Sequence, residues 1–343
     1  MQSDTSTPSL ADVARIAGVS LSTASRAINN AYGVSPATRR KVLAVVEELD
    51  FVASPDAERL ARGTTRRVAV VVPRLERWFF GEMVAGIERE LSAAGVDVLL
   101  YNVHNLDDRR EFFSRLPARR KVDAVIAIAF PVDVEERRRL ELMGVAITAA
   151  GGQTADYPYV SIDDYAAGRQ AVDHLLDLGH TRVAMLASYE RTLPAPRENL
   201  RSRAYFTALA ERGIAIDHAL VKDMEWGARN AAVATTELLR AEPPPTAIYA
   251  HSDELALGAL HALAVAGVRV PDDVSVVAID NSPLAEALDL TSVHQPVREQ
   301  GMLAARMVLD GLSRPSTSSH SVILPTRVVV RASTRQHVPH ARG

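Results

Sequence analysis

The chain of 343 residues contains no cysteine. That excludes disulfides and thiolate metal sites, and it suits a reducing compartment. Long apolar runs are missing too. Stretches such as "VAVVV" and "VIAIAF" are strand-length and too short to span a bilayer, so no membrane partner is expected. The opening "MQSDTSTPSL" lacks the basic-then-apolar pattern of a secretory signal, and a cytoplasmic location is expected. There is no strong charge of either sign: the net is −3, and residues 1–67 carry nine basic against seven acidic side chains. Any attraction to nucleic acid must therefore come from where residues stand, not from bulk charge. The signatures of several enzyme classes are absent as well. No Gly-x-Gly-x-x-Gly follows the first strand-like run, and there is no Walker A, His-Glu-x-x-His or Gly-x-Ser-x-Gly sequence. His251 and His261 read as surface or lining residues without ligand spacing, so neither metal nor cofactor is expected.

What is present is an ordinary globular composition, 47% hydrophobic and 24% charged, in a chain long enough for two or more domains. Near the N-terminus, Ser9 and Asp12 have the form of a capping box. The helix they open buries Leu10, Val13, Ala14 and Ala17 and ends at Gly18, a residue that adopts the left-handed conformation cheaply. Ser20 caps a second helix in which Ala24 and Ile28 face inward and Ser22, Ser25, Arg26 and Asn29 face outward, with Leu21 at the leading end. A third helix opens at Ser35-Pro36 and closes a small core with Val42, Val45, Val46 and Leu49. Two helices joined by so short a turn have the geometry that places the second in the DNA major groove. Arg26 is long enough for a bidentate contact with guanine.

"LADVARIAGVSLSTASRAIN" followed by "VSPATRRKV" resembles the headpiece of the lactose-repressor (LacI/GalR) family of bacterial transcription regulators, and the likeness runs through nearly the whole chain. The resemblance implies that Leu21, Ser22 and Arg26 read bases, while Ser20, Thr23, Ser25 and Asn29 hold phosphates. It further implies a homodimer on a pseudo-palindromic double-stranded operator, acting as a transcriptional repressor and not as an enzyme. Residues 1–52 then form the helix-turn-helix headpiece and 53–65 a hinge helix and linker. Ser54 would cap that helix with Pro55 at its first position. At about two turns before Gly63 it is too short to be stable alone. In the family, paired hinge helices wedge a leucine into the minor groove, and Leu60 falls at that position. Two departures accompany the match: Ala53-Ser54 replaces the family's Pro-Asn, and Glu58 replaces a basic or neutral residue. The alternative is a solvated linker.

From residue 66 to 343 strand-like runs alternate with amphipathic stretches, which argues for parallel sheets covered by helices on both faces. The runs are "RRVAVVVP", "VDVLLYNV", "VDAVIAIAF", "VAITAAG", "RVAMLAS", "TAIYA" and "VSVVAID". So many units exceed one sheet, and two lobes are expected. The resemblance implies the same α/β class, a periplasmic-binding-protein-like pair of doubly wound lobes that handles effector binding and dimerisation, with "VREQGMLAARMVLDGL" crossing back to the first lobe. Parallel sheets bind ligands beyond the carboxyl ends of their strands. The candidates there are Trp78, Phe79, Phe80, Asp163, Arg201, Trp226, Asp280 and Gln295. Apolar ring faces, carboxylates and an arginine suit a sugar, with a nucleobase as the second reading. The family's Asn-Pro is here Arg77-Trp78, its Asp-Asn pair is Asp163-Asp164, and Ala204 replaces a glycine after Arg201. Structural alternatives stand beside each role. The aromatics could belong to the core, Arg201 could neutralise Asp163 or a neighbouring glutamate, Asp280 could cap a loop, and Trp226 could sit in an interface. The C-terminal "RASTRQHVPHARG" has no leucine heptad, so a dimer is favoured over a tetramer.

Overall fold

A computed structural model describes residues 8–51, 64–118, 121–152, 155–189, 199–313 and 321–338. It divides into two compact units, Met1–Thr65 and Arg66–Gly343. Leu60 and the expected hinge helix lie outside the described residues.

The first unit holds α1 (Leu10–Ala17), α2 (Leu21–Ile28) and α3 (Pro36–Glu48). Its local signals act as the sequence predicts. The Ser9–Asp12 capping box is formed, and Gly18 stops α1 at φ +62°, letting Val19 N–H reach Ala14 O at 3.0 Å. Val13, Ala14, Ala17, Ala24, Ala27, Val42 and Val45 make the core, while Leu10, Ile28, Val46 and Leu49 pack only partly against it. In α2 the fully inward position beside Ala24 thus belongs to Ala27, not Ile28. Two alanines let the helices approach closely, and the bulkier Ile28 is left at the margin.

The second unit is two lobes. The first contains β1 (Arg67–Val72), α4 (Trp78–Ala93), β2 (Asp97–Asn102), α5 (Leu106–Ala118), β3 (Ala124–Ile128), α6 (Val134–Leu142), β4 (Ala146–Ala150) and β5 (Tyr159–Ile162). The second contains α7 (Asp164–Asp177), β6 (Val183–Tyr189), α8 (Leu200–Glu211), β7 (Val221–Glu225), α9 (Ala228–Leu238), β8 (Ala247–Ala250), α10 (Asp253–Val265), β9 (Ser275–Asp280), α11 (Pro283–Ala287) and β10 (Thr291–His294). The chain then returns to the first lobe through α12 (Val297–Ser313) and β11 (Ser321–Leu324), and ends in the second with β12 (Arg327–Val329).

The two six-stranded sheets repeat one pattern, β11-β5-β4-β3-β1-β2 and β12-β10-β9-β8-β6-β7. Pairing is parallel except at the β10–β12 edge, which is antiparallel and departs from the all-parallel expectation. Both faces of each sheet are buried. Val68, Val70 and Val72 of β1 pack under α4 and α12, while Ala69 and Val71 pack on the opposite face with Phe112, Phe113 and Leu140. The seven strand-like runs became β1–β4, β6, β8 and β9. The other five strands have three to five residues each; β5, β7 and β10 mix polar with apolar residues, and β7, β11 and β12 lie partly exposed at or near sheet edges.

The return of α12 to the first lobe is made by backbone contact with α4. A Cβ on Gly301 would sit 2.3 Å from Met83 O, and one on Gly86 would sit 2.2 Å from Arg298 O. Exposed ion pairs flank this seam, Arg298–Glu82 at 2.7 Å and Arg306–Glu90 at 2.8 Å. Screening limits such pairs to small contributions, so close packing of the helices dominates. Gly301→Ala should therefore cost about 1–3 kcal/mol through overpacking. Gly311 on the same helix has nothing within 4 Å of its missing Cβ. Gly311→Ala should be neutral or stabilise by up to about 1 kcal/mol. The urea midpoint should fall for Gly301→Ala and hold or rise for Gly311→Ala; equal shifts would show that the close approach is not the cause.

Candidate functional site

Two faces carry the candidate chemistry, one on each unit. On the first, Ser20 caps α2, accepting Thr23 N–H at 3.1 Å, and its hydroxyl also meets Ser22 Oγ at 3.0 Å and Thr23 Oγ1 at 2.8 Å. This network sets the direction of α2 and leaves Ser20, Leu21, Ser22 and Arg26 exposed in one outward row, with Thr23, Ser25 and Asn29 half-buried at its borders. Leu21 is 54% exposed. An apolar side chain held in water at a helix start can meet a base methyl or a groove wall. Arg26 Nε donates to Ser22 O at 3.3 Å, which ties the guanidinium back to the preceding turn of the helix. Every DNA-contact candidate except Leu60 is thus on one surface.

The second face is the cleft between the lobes, where strand ends converge. On the first-lobe side, Arg77 precedes α4, and Trp78 and Phe79 are partly buried against the β1 core. Phe80 is buried and packs edge-on to Phe79 at 5.2 Å, so it is a core residue of the first lobe. Phe79 occupies space left by Gly151 at the end of β4; a Cβ there would meet its ring at 2.8 Å. Across the cleft, the Arg77 guanidinium lies 4.5 Å over the ring of Trp226, a cation–π contact that joins the lobes.

On the second-lobe side Arg201, Asp280 and Gln295 come together. Arg201 Nε donates to Asp164 Oδ1 at 2.7 Å, and its Nη1 donates to the carbonyl of His251. The carboxylate that Arg201 neutralises is therefore Asp164, not Asp163. Asp163 is exposed and caps α7, accepting Ala166 N–H at 2.9 Å. Burial lowers the pKa of Arg201, but Asp164, Asp280 and Tyr249 more than offset it, and the guanidinium stays charged. The Ala204 departure is absorbed locally. A Cβ on Gly168 of α7 would meet Ala204 Cβ at 2.8 Å, so a glycine on the facing helix gives the alanine its room.

Asp280 ends β9 with φ +134°, followed by Asn281 at +55°. Such a backbone on non-glycine residues costs about 1–3 kcal/mol each and persists only where the surroundings hold it. Here Asn281 N–H donates to Ser292 Oγ at 2.9 Å, and Arg331 Nη2 donates to Asn281 Oδ1 at 2.7 Å. The strain aims the Asp280 carboxyl at Gln295, whose Nε2 donates to it, and at the backbone N–H of Asp253 at 3.4 Å. Burial first, and the neighbouring Asp253 carboxyl second, push Asp280 up to about 8. Asp253, accepting from Ser292 Oγ at 2.6 Å and Ser282 N at 2.7 Å, is raised by burial as well. Asp280 thus joins the buried polar network instead of capping an exposed loop.

Several contributors escaped sequence reading. His251 is 3% exposed and not a surface residue, and burial with the Arg201 charge lowers its pKa to about 3. Among the described residues its Nε2 and the Trp226 Nε1 are buried without a hydrogen-bond partner. Asp253 and His251 sit just beyond β8, where the rule of strand ends would have found them. The role of Asp164 had no sequence signal, because it depends on α8 bringing Arg201 back over the start of α7.

Residues 9–54 match the family described as bacterial regulatory proteins of the lacI family, and residues 172–334 match a periplasmic binding protein-like domain. The chain is 31% identical over 329 residues to catabolite control protein A of Priestia megaterium, covering 94% of this chain and 98% of that protein. Among solved structures, the transcriptional regulator CelR in complex with cellobiose matches with a TM-score of 0.70 and 31% identity, over 95% of this chain and 99% of that one. The lac repressor dimer bound to operator and the anti-inducer ONPF matches with a TM-score of 0.84 and 26% identity, over 96% and 100% of the two chains. A capped three-helix unit, a two-lobed core and alignment over nearly the full length agree, and the chain belongs to the lacI family of bacterial regulatory proteins.

Proposed function

We propose that this DNA-binding regulator is a cytoplasmic homodimeric repressor of carbohydrate uptake or catabolism genes. Its grip on a pseudo-palindromic operator is set by a neutral sugar held between the lobes, and it catalyses no reaction. The observation that carries the effector reading is the Arg201–Asp164–Asp280–Gln295 cluster at the strand ends of the second lobe, with Trp226 beyond β7 and the buried Trp226 Nε1 and His251 Nε2 left to bond. A ring compound supplies an apolar C–H face for the indole and hydroxyls for the orphaned nitrogens. Because Arg201 is already paired with Asp164, a phosphate or carboxylate on the ligand would have to compete with an internal anion. A neutral polyol avoids that competition. Trp78, Phe79 and Asp163 would complete the rim, and Phe80 would support Phe79 from the core. Cellobiose in the CelR structure has this ligand chemistry. A thermal-shift screen of the full chain against neutral sugars, sugar phosphates and purines tests the reading. A neutral sugar at a hundred times its dissociation constant should stabilise by about 2.7 kcal/mol, and stabilisation by a purine or phosphate alone would reject it.

DNA reading is placed on α2. Arg26→Ala should cost about 1–3 kcal/mol on a selected site and relax preference at one base per half-site. Uniform weakening on all sequences would instead make Arg26 a phosphate contact. The wedge assigned to Leu60 belongs to the same proposal through the family likeness.

Coupling is placed on the cleft. Arg201→Ala should abolish the sugar response while leaving operator affinity without sugar nearly unchanged. It should also destabilise the core, by about 3–5 kcal/mol, because Asp164 is left buried without its partner. Adding Asp164→Asn should recover much of the stability but not the response. Recovery of the response would show that Arg201 does not touch the ligand.

Protonation of Asp280 gives a third outcome. Its carboxyl keeps a proton in the folded chain from the ordinary carboxylate range near pH 4 up to about 8, whereas the unfolded chain has lost it. The folded state binds more protons across that window, so this contribution is full at low pH and fades as pH rises through about 8. The Tm of the wild type should therefore fall relative to Asp280→Asn between about pH 5 and 8.5. A constant difference would show that Asp280 is ionised throughout.

A further inference from the structure

The turn after α2 holds a side chain that none of the DNA-contact candidates includes. Tyr32 is 101% exposed, more open than a tyrosine in an extended chain. The turn that carries it is nevertheless tightly fixed. Asn29 ends α2, Asn30 turns the backbone at φ +52°, and Ala31 N–H donates back to Arg26 O at 2.9 Å. Arg39 of α3 donates through Nη2 to Ala31 O at 2.8 Å, and Gly33 turns the chain again at φ +92°. Both neighbours of Tyr32 are thus bound or turned, and its ring is held in water by a constrained backbone. The turn also abuts the reading side chain: a Cβ on Gly33 would lie 3.6 Å from Arg26 Nη1.

A reading helix contacts base edges mainly through its N-terminal residues, so the segment after its C-terminus reaches the groove wall, where phosphates and sugars lie. Tyrosine offers a flat apolar ring for the sugar edge and a hydroxyl that donates to a phosphate oxygen. We propose that Tyr32 is a further DNA-contacting residue, packing its ring on the backbone at the edge of each half-site and donating its hydroxyl to a phosphate. It adds affinity and register but no base preference. The contact is uncharged and releases no counterion, which separates it from every arginine contact on the same face.

The proposal rests on α2 as the DNA-reading face, and the test keeps the two apart. The full chain first enriches a duplex site from a random-sequence double-stranded library. Binding of that duplex is then measured by fluorescence anisotropy over a range of salt for wild type, Tyr32→Phe, Tyr32→Ala and Arg26→Ala. Tyr32→Ala should weaken binding by roughly three- to tenfold, the worth of one hydrogen bond with its packing. Tyr32→Phe should recover only the share owed to the ring. Both should keep the wild-type Tm, the enriched sequence and the slope of log affinity against log salt. Arg26→Ala should change the enriched sequence. Binding by Tyr32→Ala within twofold of wild type, while Arg26→Ala is impaired, overturns the role of Tyr32 alone. A changed base preference in Tyr32→Ala overturns the backbone contact in favour of base reading. If Arg26→Ala also binds normally, the assignment of α2 itself falls.

Discussion

The core depends on three short passages of chain between its lobes. Strand β5 ends at Ile162 and α7 starts at Asp164; β10 ends at His294 and α12 starts at Val297; β11 ends at Leu324 and β12 starts at Arg327. Passages this short hold the lobes together while leaving their angle to a few backbone dihedrals. Leu324 packs against the cores of both lobes, so one passage is also a shared bearing. Asp163 and Asp164 lie at the first passage and Gln295 on the second. Polar residues of the candidate site are therefore built into the hinge. A ligand that changes how they are held acts on the lobe angle directly, without a relay through the interior.

Electrostatics explains why that site is both costly and informative. Arg201 and Asp164 are each less than one-fifth exposed, so neither can be left unpaired without a large penalty. Asp280 meets the same problem by another route. With Asp253 beside it, the low local polarity favours a neutral carboxyl that can itself donate a hydrogen bond. One carboxyl is paired with an arginine, and the other is pushed toward neutrality by burial and a neighbouring carboxyl. Against this floor stands the Arg77–Trp226 contact, a guanidinium from one lobe on an indole from the other. A ring compound stacking on that indole face would meet Arg77 first. In the proposed reading, ligand entry and the contact between the lobes share one surface.

The headpiece follows a different economy. Its core consists of alanines and valines, so little apolar area is available and local signals carry much of the specification. The Ser9 and Ser20 caps, the left-handed Gly18 and the Pro36 start together fix where each helix begins and ends. Small buried residues bring the helices close, and close helices leave long and polar side chains nowhere to go but outward. The exposed row on α2 and the outlying Tyr32 follow from that packing.

Much of this was legible in the sequence, for identifiable reasons. Helix caps, glycine stops and fully buried central strands are written in neighbouring residues, so the three helices of the headpiece, the alternation of the core and the exposed face of α2 could be read directly. The resemblance of "LADVARIAGVSLSTASRAIN" to a known headpiece added the cleft candidates, and Arg201, Asp280 and Gln295 do meet there. Strands β7, β11 and β12 were not legible: β7 has the mixed sequence VKDME, and the runs of β11 and β12 are only three apolar residues long. Nor was the choice between Asp163 and Asp164: adjacent carboxylates are equivalent in a sequence, and only the start of α7 makes one a cap and the other the partner of an arginine 37 residues away. The inward place of Ala27, the burial of His251 and the lift of Asp280 belong to the same class. Each depends on what a distant element brings alongside, and that proximity exists only once the chain has folded.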